Sequence, residues 1–184
     1  MTPTPSAHFV KGVEVNLKYW SQLVEQYPEK LIFEHPNLLS AVQFGLALPQ
    51  TQTLAVDLTL KSLALLENLG VWHVWFAILE IILSRDSDNQ TALRIKALNW
   101  LGRWFRLNWQ LQKAISTHQE AEAAAGQTND KQDLAEVYLY LSEDYLRSHQ
   151  YETAQKYGKL AFAEWEHLPE SEKFKAATLN TLGL

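Results

Sequence analysis

At 184 residues, 47% of them hydrophobic, the chain is long enough for one domain or two small ones with a continuous core and no covalent staples. It has no cysteine, which excludes disulfides, thiolate metal sites and cysteine nucleophiles and makes the reducing cytoplasm the default expectation. A formal net charge of -5 disfavours a general nucleic-acid binder, because neutralising phosphates takes concentrated Lys and Arg.

Residues 1–7 are rich in Thr, Pro and Ser and lack a basic start followed by an apolar stretch, so they read as a frayed, disordered end rather than a secretory signal. Gly and Pro are few, and Pro28, Pro49, Gly70, Gly126 and Pro169 fall where helical periodicity breaks. The spacing predicts helices over about 8–27, 29–47, 51–69, 71–85, 90–108, 110–125, 132–147, 151–167 and 172–184, with no strand. Pro36 is expected to kink or restart the second helix. The longest apolar run, Val71 to Leu83, contains His73 and Glu80 and is too short to span a bilayer, so it reads as a buried helix with no membrane role. Asp88, Asp130 and Ser171 are placed to cap the helices that follow them, and Gly126 to end the sixth in a left-handed conformation.

An internal repeat runs through the second half. Gly102, Phe105, Ala114 and Ala121 each have a counterpart 40 residues later, in Ser142, Tyr145, Ala154 and Ala161, and Leu101 and Leu141 precede the first pair. A third copy opens at Leu182-Gly183 and is cut within its first helix. Small residues at 102, 142, 114 and 154 let helix backbones approach, while Leu101, Phe105, Leu141 and Tyr145 fill the gaps between them.

Leu-Gly, an aromatic three residues on, then alanines where paired helices touch, resembles the tetratricopeptide repeat over roughly residues 91–184, with a period longer than usual for that family. The resemblance implies an all-α fold, a right-handed α-solenoid of antiparallel helix pairs with about nine helices in the whole chain. The expected organisation is a disordered 1–7, an N-terminal helical region over 8–90 with a degenerate repeat through Leu63, Leu66, Gly70 and Trp72, and repeats over 91–184. Trp75 stands where that early copy would need alanine, which departs from ordinary close packing. The stretch Glu34-His35-Pro36-Asn37-Leu38-Leu39-Ser40-Ala41-Val42, followed by Leu60 to Trp72, resembles the helical region before the repeats of bacterial signal-transduction ATPases with numerous domains (STAND). That family's nucleotide loop has no counterpart, so the resemblance implies a sensing arm alone.

Candidate chemistry is sparse. The six histidines, at 8, 35, 73, 118, 149 and 167, form no metal-ligand spacing, and no cofactor is expected. His73 and His118 read as core or packing residues. There is no Gly-x-Ser-x-Gly elbow, and the chain is not expected to be an enzyme. Glu120 and Glu122, or Glu164 and Glu166, lie two residues apart and do not share a helix face. Trp100 and Trp104 do share one, with Trp109 a turn on, and read as core rather than a stacking platform.

Charge patterning gives the sharpest signal. From Asn89 to Gln119 there is no Asp or Glu, while Arg94, Lys96, Arg103, Arg106 and Lys113 all fall inside. Lys96, Asn99, Arg103 and Arg106 recur at helical spacing on one stripe. In the resembled repeat the first helix of each pair lines a concave surface, which places this stripe in the groove, with Glu136, Leu139, Glu143, Leu146 and Arg147 as the next repeat's contribution. The expected function is therefore a non-catalytic scaffold holding a protein or peptide with acidic groups. A solvated, functionless face is one competing reading. The alternative function is nucleic-acid binding through the basic, Trp-rich segment 94–113, against which the acidic second repeat argues. A small-ligand pocket near Trp72, Trp75 and Phe76 is a third. Leu179, Leu182 and Leu184 would need covering, by a longer chain or by a contact between two copies.

Overall fold

The computed structural model of the protein describes residues 5–68, 70, 75–84, 91–128, 130–168 and 172–183. Among them are nine α-helices, one 3-10 turn (Pro28–Lys30) and no strand. The helices are α1 (Ala7–Gln26), α2 (Leu31–Ala47), α3 (Gln52–Asn68), α4 (Phe76–Leu83), α5 (Thr91–Leu107), α6 (Leu111–Ala125), α7 (Lys131–Arg147), α8 (Tyr151–Trp165) and α9 (Glu172–Leu182). Expectations attached to Trp72, His73, Asp88, Pro169, Ser171 and Leu184 lie outside the described residues.

Two local expectations are corrected. Of the kink or restart expected at Pro36, the restart does not occur: α2 continues through it, the missing N–H falling within the first two turns and costing a single bond near the helix start. Gly126 is right-handed (φ -63, ψ -16), since Thr128 closes the end of α6 by donating both its N–H and its hydroxyl to the Ala125 carbonyl at 3.0 and 2.9 Å. Asp130 caps α7 as its position predicts, accepting the Gln132 and Asp133 amides at 2.9 and 3.3 Å.

The chain forms two compact units, Met1–Ile82 and Leu83–Leu184. In the first, α1 packs on α2 and α3, and α2 on α3. Leu17, Trp20, Leu38, Val42, Leu58, Leu63 and Leu66 are buried there. Phe9, Val15, Tyr19, Phe33 and Phe44 stay exposed. In the second, each helix packs on its successor from α5 to α9, and α7 also touches both α5 and α9.

The 40-residue period is legible in this second unit. Helices α5 and α7 are both 17 residues long and start 40 apart, as do the 15-residue α6 and α8. Their connecting turns match as well. Trp109 (φ 58) and His149 (φ 62) take the left-handed conformation, and the next amide, of Gln110 or Gln150, bonds back to the Phe105 or Tyr145 carbonyl at 2.9 Å. Left-handed backbone at a residue with a Cβ costs about 1–2 kcal/mol, which the closed helix end offsets.

Two successive cores repeat the arrangement. Ile95, Leu98, Ala121, Ala125, Val137 and Leu141 form the first, with Leu134 and Tyr145 against it. Ala135, Leu139, Ala161 and Trp165 form the second, with Phe174 and Ala177 standing 40 residues after Leu134 and Val137. Phe174 stacks on Trp165 at 4.6 Å, and Leu182 occupies the space that Gly158 leaves, where a Cβ would meet Leu182 Cδ2 at 2.7 Å.

Ala114 and Ala154 are both buried, and the Ala154 carbonyl accepts the Ser142 hydroxyl at 2.8 Å across α7 and α8. Added volume there has nowhere to go, so Ala154→Leu should lower stability by about 1–3 kcal/mol, against a change near zero for Gln155→Leu on the exposed side. Thermal unfolding compares the two, and equal midpoints would place Ala154 outside the packed interface.

Candidate functional site

The second unit has a charged interior where α5, α6 and α7 meet. Arg106, near the end of α5, is only 3% exposed, although guanidiniums are seldom buried without compensation. It is matched from α7: Nη1 donates to Asp144 Oδ1 at 2.9 Å and to the Tyr140 carbonyl at 3.3 Å, and Nη2 to Glu143 Oε2 at 2.6 Å. The other Asp144 oxygen accepts His118 Nδ1 from α6 at 2.5 Å, both side chains being fully buried. His118 Nε2 faces the Asn99 carbonyl at 3.3 Å, and its ring stacks on Tyr140 with centroids 5.3 Å apart. Gly102 makes room for the imidazole, since a Cβ there would fall 2.6 Å from His118 Cε1.

Above this network lies a groove of about 330 Å³ across α5, α7 and α9, lined by Arg103, Arg106 and Leu107 of α5, Glu143, Leu146 and Arg147 of α7, and Asn180 and Thr181 of α9. Three arginines and one glutamate are among its lining residues. Arg103 also lies over the Trp100 ring, 5.8 Å from its centroid. The Tyr140 hydroxyl is pushed up to about 12, chiefly by burial and then by Glu136, with Arg103 and Arg106 opposing. Tyr157 is also pushed up to about 12, by burial and by Glu122, whose carboxylate accepts its hydroxyl at 3.2 Å.

Of the residues expected in a groove, Arg103, Arg106, Glu143 and Arg147 come together, with Leu146 beside them. Lys96, Asn99, Glu136 and Leu139 do not line it. Leu139 is buried in the second core, and Asn99 is buried, with neither amide atom bonded to the protein among the described residues. Lys96 is exposed and lies near enough to Asp133 to favour its charged form, while burial and Asp130 push that carboxyl upward. The stripe is thus not a uniform solvated face, since Arg106 is held inside by buried ion pairs. Arg94 is also matched, by Glu120 at 2.5 Å. Trp100 and Trp104 are half-buried, whereas Trp109 is 73% exposed.

Asp144 and Tyr140 escaped sequence reasoning, and His118 was legible only as packing. The repeat holds the signal. Asn99, Arg106, His118 and Asp144 align at the 40-residue period with Leu139, Leu146, Gly158 and Trp104, so each polar member sits where the other repeat is apolar or small. No group of three metal-ligating side chains occurs among the described residues. Comparison of the chain with known protein families, characterised proteins and solved structures finds no match, so geometry and residue chemistry carry the functional reading.

Removing one partner from a buried ion pair costs about 3–5 kcal/mol, much of a domain's total stability. Asp144→Asn should therefore lower the urea midpoint severely, while Glu152→Gln on the exposed side of α8 changes it little. A loss below about 0.5 kcal/mol would mean that water reaches Arg106.

The raised tyrosines set an alkaline limit. A folded-state proton held more tightly than in the unfolded chain adds stability below the unfolded value of 10 and loses it as pH rises through 12. Denaturation curves should be flat from pH 8 to about 10 and fall steeply above, and Tyr140→Phe should reduce the fall. A pH-independent midpoint up to 12 would contradict it.

Proposed function

We propose that the second unit is a non-catalytic binding module whose groove holds an acidic segment of a protein partner. The observation that carries this reading is that Arg103, Arg106 and Arg147 line one groove with Glu143, beside Leu107 and Leu146. Guanidiniums fixed by their own contacts offer planar, paired donors to a carboxylate, and adjoining leucines give a neighbouring apolar side chain somewhere to rest. The repeated helix lengths, turns and cores support a solenoid of antiparallel helix pairs resembling tetratricopeptide repeats, in which such a groove follows from stacking. On this reading the chain acts in the cytoplasm, as a scaffold or as the sensing arm of a STAND-like regulator.

Nucleic-acid binding through residues 94–113 is the weaker alternative. Two of that segment's cations, Arg94 and Arg106, already pair with carboxylates, which leaves less charge for phosphates.

Arg106 cannot serve as a probe of binding, since reversing it would set three carboxylates together in a buried site. Arg103→Glu with Arg147→Glu is the informative pair. Selection from a random displayed peptide library should enrich acidic sequences on the wild-type protein, and enrichment should fall at least tenfold on the double variant, with Lys113→Glu behaving as wild type. Equal enrichment on all three proteins overturns the groove reading.

A further inference from the structure

Glu143 is the only acidic residue among the described residues that line the groove. Its side chain is 31% accessible, while those of Arg106 and Asp144 are 4% and 0%. Asp144 therefore grips the guanidinium from the protein interior, and Glu143 closes it from the groove side through Nη2 at 2.6 Å. The two carboxylates do different work. Asp144 is also bonded to His118 and has no freedom to leave, whereas Glu143 has three rotatable torsions and solvent on one side.

Resting on the groove reading above, the geometry points to Glu143 as a resident competitor: its carboxylate occupies the Arg106 position that a partner's acidic side chain takes, and an arriving partner displaces it into solvent. The exchange is physically inexpensive because Arg106 is never left uncompensated. Asp144 stays bonded throughout, and one carboxylate replaces another on the same Nη2. Stripping a buried guanidinium of its charge partner would be prohibitive, whereas swapping a half-exposed one is a matter of modest ion-pair differences. The device also sets selectivity. A neutral side chain cannot replace Glu143, so it meets a closed site, and only a group of equal charge and geometry competes. The occupant is thus an acidic side chain of a peptide, its carboxylate on Arg106 and its apolar neighbour against Leu107 and Leu146.

The probe is the dipeptide acetyl-Leu-Glu-amide, with acetyl-Leu-Gln-amide as the neutral control. Titration is followed by the side-chain Nε–Hε resonances of Arg103, Arg106 and Arg147, on the wild-type protein and on Glu143→Gln. The expected result is tighter binding of the acidic dipeptide to the variant by about five- to tenfold, with the Arg106 resonance moving and the neutral control inert. In the wild type, the Glu143 carboxyl carbon should shift toward its free value as the probe saturates, and this readout needs no variant. Equal affinity for both proteins, with Arg106 and Glu143 unmoved while Arg103 or Arg147 responds, overturns the competitor and leaves the groove standing. No response at any of the three arginines overturns the groove reading itself.

Discussion

The bond between Arg106 and Asp144 is the constraint on which the second unit depends. A guanidinium and a carboxylate removed from water each carry a desolvation penalty of several kcal/mol, and the pair is tolerable because each makes further charged or polar contacts besides their own. Asp144 supplies one oxygen to Arg106 and the other to His118, so three helices are joined through one carboxylate. Apolar contacts among α5, α6 and α7 would accept several neighbouring alignments of similar burial. The charged contacts accept one, since sliding α7 by a residue would strand two buried charges. Gly102 belongs to the same constraint, because the imidazole reaches Asp144 only by lying where a Cβ would be.

What was legible in the sequence, and what was not, follows from the range of the interactions. Helices are local objects set by periodicity and caps, and eight of the nine lie within two residues of their expected limits, while α4 begins at Phe76 against an expected start near 71, with 71–74 outside the described residues. The repeat was legible because matching residues recur in register, and it reached the level of turns and cores. Gly126 misled because composition gives a residue's freedom, not its use: Thr128 had already closed the helix end. The groove was half legible. Helical spacing put Lys96, Asn99, Arg103 and Arg106 on one stripe, but a stripe spans more arc than a solvent face does, and whether a member points at water or at α7 depends on the neighbour. Asp144 lies 38 residues from Arg106, so no window of sequence contains both.

Comparing the two repeats explains why charge is buried in one interface and not in the other. The α7–α9 side is filled by Leu139, Trp165, Phe174 and Leu182, with Gly158 where His118 stands in the earlier copy. An apolar solution was therefore available at the same positions. Such packing is the more stable choice in general, so the polar version is unfavourable on stability grounds alone. What it adds is a guanidinium held rigidly from beneath. A freely rotating arginine loses side-chain entropy when it binds, whereas one already bonded at Nη1 has lost it on folding. On the proposed reading, part of the second unit's stability is given up for a preorganised donor at the groove floor.

Charge balance then decides which anion such a floor suits. Arg103, Arg106 and Arg147 supply three positive charges, and Asp144 beneath them removes one permanently. Glu143 removes a second while it is in place. Glu143 and Asp144 thus set two negative charges against the arginines that line the groove. Displacing Glu143 returns one charge to the floor, which the incoming carboxylate neutralises, so the balance before and after is the same. A phosphate dianion would bring two negative charges where Glu143 carried one, so its loading is not a neutral exchange. Acidic side chains are the species for which loading and unloading are both neutral exchanges, and an equilibrium of that kind can be set by the partner's apolar contacts with Leu107 and Leu146 rather than by charge alone.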